Sequence, residues 1–159
     1  MTPKASRPYM PDYGIKGPDE GTGLLPWSWA VERLTNSHDY WVATTWPDGR
    51  PHVTPVWGAW IDDALWFSCG NNSRKARNLD RDPRCSVTTD NAFQPVILDA
   101  KVERVTDAER FTNISNAKYE VDYSVDFFAA NALFAARPKS VFALDENDFT
   151  GTPTKWMCQ

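Results

Sequence analysis

Histidine is almost missing from this chain, with only His38 and His52, and the three cysteines (Cys69, Cys85, Cys158) show no Cys-x-x-Cys spacing. That speaks against a multi-histidine metal centre and against a zinc or disulfide framework. Free, unpaired thiols fit a reducing, cytoplasmic setting. No apolar run approaches the ~20 residues that span a bilayer, and the opening MTPKASRPYM lacks the apolar core of a signal peptide. Positive charge is also short. Seventeen Lys and Arg against 21 Asp and Glu leave a net charge of −4 and a pI near 5.1, the wrong sign for a general nucleic-acid binder. Any anion site must therefore be local. There is no Walker loop, no Gly-x-Gly-x-x-Gly turn and no Ser/His/Asp order. Asp62-Asp63 reads as a turn and not as an acid–base pair.

What the chain does have is aromatic surface. Eight Trp and an aromatic content of 13 %, within 42 % hydrophobic residues, require a packed core and favour stacking against a ligand or a second subunit. At 159 residues the length suits one ordinary domain. Residues 1–26, rich in Pro, Gly and charge, read as an extended arm with little regular structure of its own, either a tail or a segment packed on a partner subunit. Residues 27–159 would form the folded body.

Apolar residues at 27, 30, 31 and 34 predict a short helix. Tyr40–Trp46 is β-branched and aromatic, Pro47-Asp-Gly-Arg50 is a turn, and His52–Ile61 returns as a strand. Asp62-Asp63 then turns into a strand over Ala64–Cys69. Ser73 caps a short basic helix running to Asp82, which Pro83 stops. Strands follow over Cys85–Thr89 and Val96–Val105, the second alternating Val96, Leu98, Ala100 and Val102 against polar neighbours. Thr106 and Glu109 form a capping box for a helix with Phe111, Ile114, Ala117 and Val121 on one face. The apolar run Phe127–Ala136 predicts another helix, ended by Arg137-Pro138, with strands over Ser140–Leu144 and Thr154–Cys158. The order describes a mainly antiparallel β-barrel with helices outside it.

Two stretches carry candidate chemistry. Ser73-Arg74-Lys75, with Asn78 on the same helix, places two cations at a helix N-terminus that already offers unpaired N–H groups and partial positive charge. An anion would relieve that crowding; a solvated basic face balanced by Asp80 and Asp82 is the blander reading. The second is Val53-Thr54-Pro55-Val56-Trp57-Gly58. Pro55 cannot donate to a sheet ladder and Gly58 permits close backbone approach. The strand is therefore either interrupted, with backbone groups free for a heterocycle, or an edge guarded by proline. His52 reads as an ordinary surface or core histidine, and Cys69 and Cys85 as buried and inert.

Residues 39–106 resemble the split β-barrel flavoproteins, which include pyridoxamine 5′-phosphate oxidase and the F420-dependent reductases. The resemblance rests on Gly49-Arg-Pro-His-Val-Thr-Pro-Val56, Leu65-Trp-Phe67, Ser73-Arg-Lys75, Arg77-Asn-Leu79 and Asp82-Pro-Arg84, and on Pro153-Thr-Lys-Trp156 as a closing strand. It implies a split barrel (α+β, mainly β) that works as a homodimer with the cofactor site at the interface. Arg74 and Lys75 would hold the cofactor phosphate. Val53–Gly58, Ser68 and Cys69 would lie along the ring, Gln94 would reach it, and Trp156 would act from the partner subunit. The chain ends Thr-Lys-Trp-Met-Cys-Gln and lacks the basic, His-containing end that holds substrate phosphate in pyridoxamine phosphate oxidases. That speaks against pyridoxamine phosphate oxidation. The compact size, the Lys75 site and the Trp-rich barrel look more like the F420-using branch, which implies hydride transfer to an unsaturated small molecule, with FMN as the alternative cofactor. A non-catalytic flavin- or F420-binding module is the alternative. No general acid stands out; Tyr119, Tyr123 and His52 are the candidates.

Overall fold

The computed structural model describes residues 2–159. In chain order the elements are β1 (Lys4–Ser6), α1 (Trp27–Asn36), β2 (Tyr40–Thr45), β3 (Pro51–Val56), β4 (Ala59–Ile61), β5 (Ala64–Cys69), α2 (Arg74–Arg81), β6 (Arg84–Thr89), β7 (Val96–Arg104), α3 (Ala108–Tyr119), α4 (Val125–Ala129), β8 (Ala132–Ala143) and β9 (Thr154–Met157). Every pairing is antiparallel. The hydrogen-bonded order is β1-β9-β8-β7-β6-β2-β3, with β5 joined to β8 and β4 to β5.

Strand β8 is where the sheet forks. One edge pairs with β7 from Phe134 to Ala143. The other pairs first with β5, over Ala132–Ala136, and then with β9, over Ser140–Ala143. Pro138 lies in the gap between those two partners, opposite a register shift at Asp99/Ala100, where its missing N–H removes no bond from either β5 or β9. The result is a split antiparallel β-barrel, left open between β3 and β4. Its core holds Leu34, Tyr40, Val42, Phe67, Val87, Leu98, Phe134, Val141 and Trp156. A second cluster, Trp66, Phe111, Phe128 and Leu133, lies under α3 and α4.

Four expectations need correcting. The helix expected over Phe127–Ala136 is only Val125–Ala129, capped by the Ser124 hydroxyl accepting from the Phe127 N–H at 3.2 Å. Residues 132–136 are strand, because an unbroken apolar run is compatible with either structure and pairing with β5 and β7 decides it. The expected strand His52–Ile61 breaks at Trp57-Gly58 into β3 and β4. Asp107, and not Thr106, caps α3, its carboxylate accepting from the Arg110 N–H at 3.1 Å. That moves the buried face to Ala108, Phe111, Thr112 and Ser115, leaving Ile114 37 % exposed. Finally, the N-terminal arm includes a strand, β1, which pairs with β9 of its own chain.

The β4–β5 turn confirms the two-residue connection at Asp62-Asp63 and shows its cost. Both residues are left-handed, at φ 50° and 56°, the geometry that twisted hairpins demand and that glycine adopts most easily. Replacing Asp63 with glycine is expected to raise the unfolding free energy by about 0.5–1 kcal/mol in urea titration, after the larger chain entropy of glycine is subtracted.

Candidate cofactor site

Helix α2 is built to leave one cation without a partner. Ser73 takes an extended conformation, φ −64° and ψ 155°, and its Oγ accepts from the Ala76 N–H at 3.1 Å. No acidic residue lies in the first turn. Ala76 and Leu79 anchor the helix to the barrel, and the same face carries Lys75 inward until it is only 8 % exposed. Burial lowers the pKa of its ammonium, with only the nearby Cys69 working the other way. Among the described residues, no carboxylate lies within ion-pairing distance of it. Asp80 pairs with Arg104 at 2.8 Å and Asp82 with Arg84 at 2.7 Å, so the acids that might have balanced this helix are engaged elsewhere. Arg74 lies beside Lys75, its guanidinium stacked 4.0 Å over the Trp46 ring, which Arg50 flanks at 4.5 Å.

The inner face of the neighbouring strands carries further unmatched groups. Asn78, 1 % exposed, donates to the Thr44 hydroxyl at 3.0 Å, while its Oδ1 has no partner. Thr44 lies opposite His52, and Val42 opposite Thr54, and each such pair shares a face of the sheet. His52 Nδ1 and Thr54 Oγ1 are buried and also lack partners. Buried polar atoms normally find a hydrogen bond. Here three orphans and an unpaired ammonium lie on α2 and the adjoining strands. Strand β3 is an edge, as Pro55 suggested, and its residues divide between two faces. His52, Thr54 and Val56 point inward. Val53, 55 % exposed, and Pro55 point outward, Pro55 across from Trp41.

At the far end of β3 the backbone is already occupied. The Gly58 N–H donates to the Tyr119 hydroxyl at 2.9 Å, and the Gly58 carbonyl accepts from the Lys118 ammonium at 2.8 Å. The expectation that this break leaves free groups for a heterocycle therefore fails at Gly58: α3 takes them. The Trp57 ring stacks on Tyr119, with centroids 4.2 Å apart and planes 5° from parallel. Tyr119 is no ready proton donor, because burial pushes its hydroxyl up to about 12 and the same hydroxyl donates to the His38 carbonyl at 2.6 Å. Tyr123 stacks on Phe127 at 4.9 Å, beside α4.

The remaining expected positions divide. Ser68 and Cys69 end β5, next to the turn that leads into α2. Burial pushes the Cys69 thiol up, against the pull of the neighbouring Ser73 hydroxyl and Lys75 ammonium. Gln94 is not brought to this group, since it is held between Arg33 (2.8 Å) and Asp145 (3.0 Å). Trp156 is 1 % exposed, sealed in its own barrel and packed edge-on against Trp27 at 5.5 Å; a side chain so buried does not reach across to a partner's site. Sequence reasoning passed over Thr44, Trp46 and Lys118. Trp46 carried a signal in its position beside the Pro-Asp-Gly-Arg turn. Lys118 carried none, because it meets Gly58 only through the fold.

Comparison with known proteins gives one family match. A family model described as pyridoxamine 5′-phosphate oxidase matches residues 30–146. Among solved structures, the conserved hypothetical protein Rv2991 from Mycobacterium tuberculosis is similar at 25 % identity and TM-score 0.68, over 75 % of this chain and 84 % of that one. A structure named F420 Reductase is also 25 % identical, at TM-score 0.59, over 69 % of this chain and 93 % of that one. A heme binding protein from Mycobacterium smegmatis shares the fold at 19 % identity and TM-score 0.55, over 78 % of this chain and 60 % of that one. No curated protein matches in sequence.

Proposed function

Given that the chain belongs to the pyridoxamine 5′-phosphate oxidase family, we propose that it is an F420H2-dependent oxidoreductase acting on an unsaturated small molecule, with FMN as the alternative cofactor. The observation that carries this reading is Lys75, a cation nine-tenths buried at a helix N-terminus with no carboxylate to neutralise it. A phosphate suits that seat. It accepts from the free N–H groups of the first turn, from the Lys75 ammonium and from the fork of Arg74. The orphaned Thr54, Asn78 and His52 atoms match a linker bearing donors and acceptors, and Val56, Trp57, Ser68 and Cys69 would lie along the flat ring. The similarity to the structure named F420 Reductase favours the deazaflavin.

When bound, the reduced deazaflavin supplies a hydride. The protein's own part is to hold the phosphate, orient the ring edge and exclude water from one side of it. With Tyr119 engaged in backbone bonds, protonation from solvent suffices. A homodimer with the cofactor site at its interface goes with this reading, and the exposed Val53, Trp41 and Ile97 on the outer face of β3, β2 and β7 offer a second copy apolar surface to cover.

Fluorescence titration tests the proposal. F420 emission is expected to quench and saturate on adding protein, and single-turnover oxidation of F420H2 is expected with at least one enone, quinone or tetrapyrrole acceptor. Micromolar FMN binding without F420 binding would transfer the reading to FMN. Tight F420 binding with no turnover on any acceptor class would leave a non-catalytic binding module, and a Soret band on loading with haem would move it to haem binding.

A further inference from the structure

Lys118 makes a junction that the cofactor seat does not explain. Its ammonium donates to the Gly58 carbonyl and to the Tyr40 hydroxyl, both at 2.8 Å. Tyr40 donates its own hydrogen to the Leu34 carbonyl at 2.6 Å, so it can only accept from Lys118. The next residue, Tyr119, receives the Gly58 N–H and carries the Trp57 ring. Two consecutive residues of one helix thus hold both polar backbone groups of the glycine at which β3 ends. They converge because α3 stops there, with Glu120 left-handed at φ 54°. Lys118 in the last turn also suits the helix dipole. Gly58 has no slack of its own, since a Cβ there would lie 3.1 Å from Tyr40, 3.2 Å from Leu65 and 3.2 Å from the Trp66 carbonyl.

We propose that Lys118 is the positioning residue of the cofactor floor: its ammonium fixes where β3 stops and where Val56 and Trp57 stand, and loss of its proton loosens that joint. The inference rests on the reading of β3 as the cofactor floor. The groups facing Lys118 are Tyr40 at the start of β2, Tyr119 on α3, Asp39 before β2 and Asp90 after β6, with His38 bonded to Asp39 at 2.8 Å. Neither carboxylate pairs with the ammonium directly, so burial dominates and brings it down to about 8, against the pull of Asp90 and Asp39. The neutral amine still donates to two acceptors, but without charge assistance, which roughly halves those bonds.

The test follows the Trp57 indole N–H resonance, assigned by its loss in Trp57→Phe, in a His38→Gln background that removes the neighbouring imidazole. Between pH 6.5 and 9.5 this resonance is expected to move with a midpoint at about 8. In Lys118→Met it is expected to stay fixed, and in Lys118→Arg to stay at its low-pH position. In parallel, the F420 affinity of wild type relative to Lys118→Met is expected to fall by roughly fivefold across the same range, the worth of about 1 kcal/mol of charge assistance. Lys118→Arg should hold the tight value throughout. A wild-type resonance that does not move, or one that moves equally in Lys118→Met, overturns the joint. A flat affinity ratio overturns its role in positioning. Failure of both F420 and FMN to bind strikes the cofactor reading instead, while the resonance still judges the joint.

Discussion

Replacing Lys75 with methionine is expected to weaken cofactor binding by roughly 10- to 100-fold and, in the same protein, to make the cofactor-free state more stable. The first effect follows from losing a charge-assisted bond to phosphate in a desolvated seat, worth about 1.5–3 kcal/mol. The second follows from the absence of an ion-pair partner. The ammonium is held inside the structure at 8 % exposure, and its lowered pKa records the cost of keeping it charged there. Methionine keeps the apolar stem and removes the charge, a change that stabilises buried ionic sites by about 1–2 kcal/mol when packing is preserved. The sign with pH agrees. The folded protein binds this proton more weakly than the unfolded chain, so wild-type stability rises with pH through the alkaline range, and the gap to Lys75→Met narrows as it does. Urea unfolding with and without F420 separates the two effects. Equal stability of the two apoproteins, or unchanged affinity, would remove the phosphate seat.

The opposite signs distinguish a ligand site from a structural lysine. In a structural role, removing Lys75 costs stability and leaves binding alone. In a seat, the protein carries an unfavourable charge that only the ligand neutralises, so stability is given up for function.

How far the site could be read before the structure depended on whether its signal was local. Ser73, Pro55 and the Asp62-Asp63 turn act through their own backbone geometry, so the helix cap, the sheet edge and the hairpin were legible from residue type. The alternation of Val96, Leu98 and Ala100 was legible for the same reason. The run Phe127–Ala136 was not, because an unbroken apolar stretch has no period and its state is set by β5 and β7, which lie far away in sequence. The occupied backbone of Gly58 was equally hidden. Nothing near position 58 announces that residues 118 and 119 will fill its hydrogen bonds. The orphaned atoms of His52, Thr54 and Asn78 are orphans only once every neighbour is placed.

The N-terminal arm is the sharpest case, and Arg7 is expected to be its keystone. With Pro3, Pro8, Pro11, Gly14 and Gly17, the composition suggests a tail or a segment packed on a partner subunit, because it offers few side chains to bury. The arm is held instead through its backbone. The Arg7 guanidinium donates to the carbonyls of Gly17 (2.9 Å), Glu20 (3.2 Å), Gly151 (2.9 Å) and Pro153 (2.9 Å), joining two turns of the arm to the segment before β9. Around it, Lys16 N–H bonds the Thr150 carbonyl at 2.9 Å, Leu25 N–H bonds Thr154 Oγ1 at 2.8 Å, and Asp148 accepts from the Thr22 N–H and hydroxyl at 2.8 and 2.7 Å. Arg7→Ala takes a charged donor from four carbonyls at once and leaves only backbone N–H partners to those of Gly17, Glu20 and Gly151. Even with water reaching the outer ones, the expected loss is about 2–4 kcal/mol, a fall in melting temperature of roughly 5–15 °C for a domain of this size. Lysine does not rescue it, because a single ammonium cannot reproduce a planar fork reaching four acceptors. Loss of the anchor should also expose the Lys16 peptide bond to trypsin while the barrel stays intact, since β1 contributes only three residues to the sheet. An Arg7→Ala protein that melts with wild type and resists cleavage at Lys16 would mean that β1 and the Asp148 turn hold the arm without Arg7.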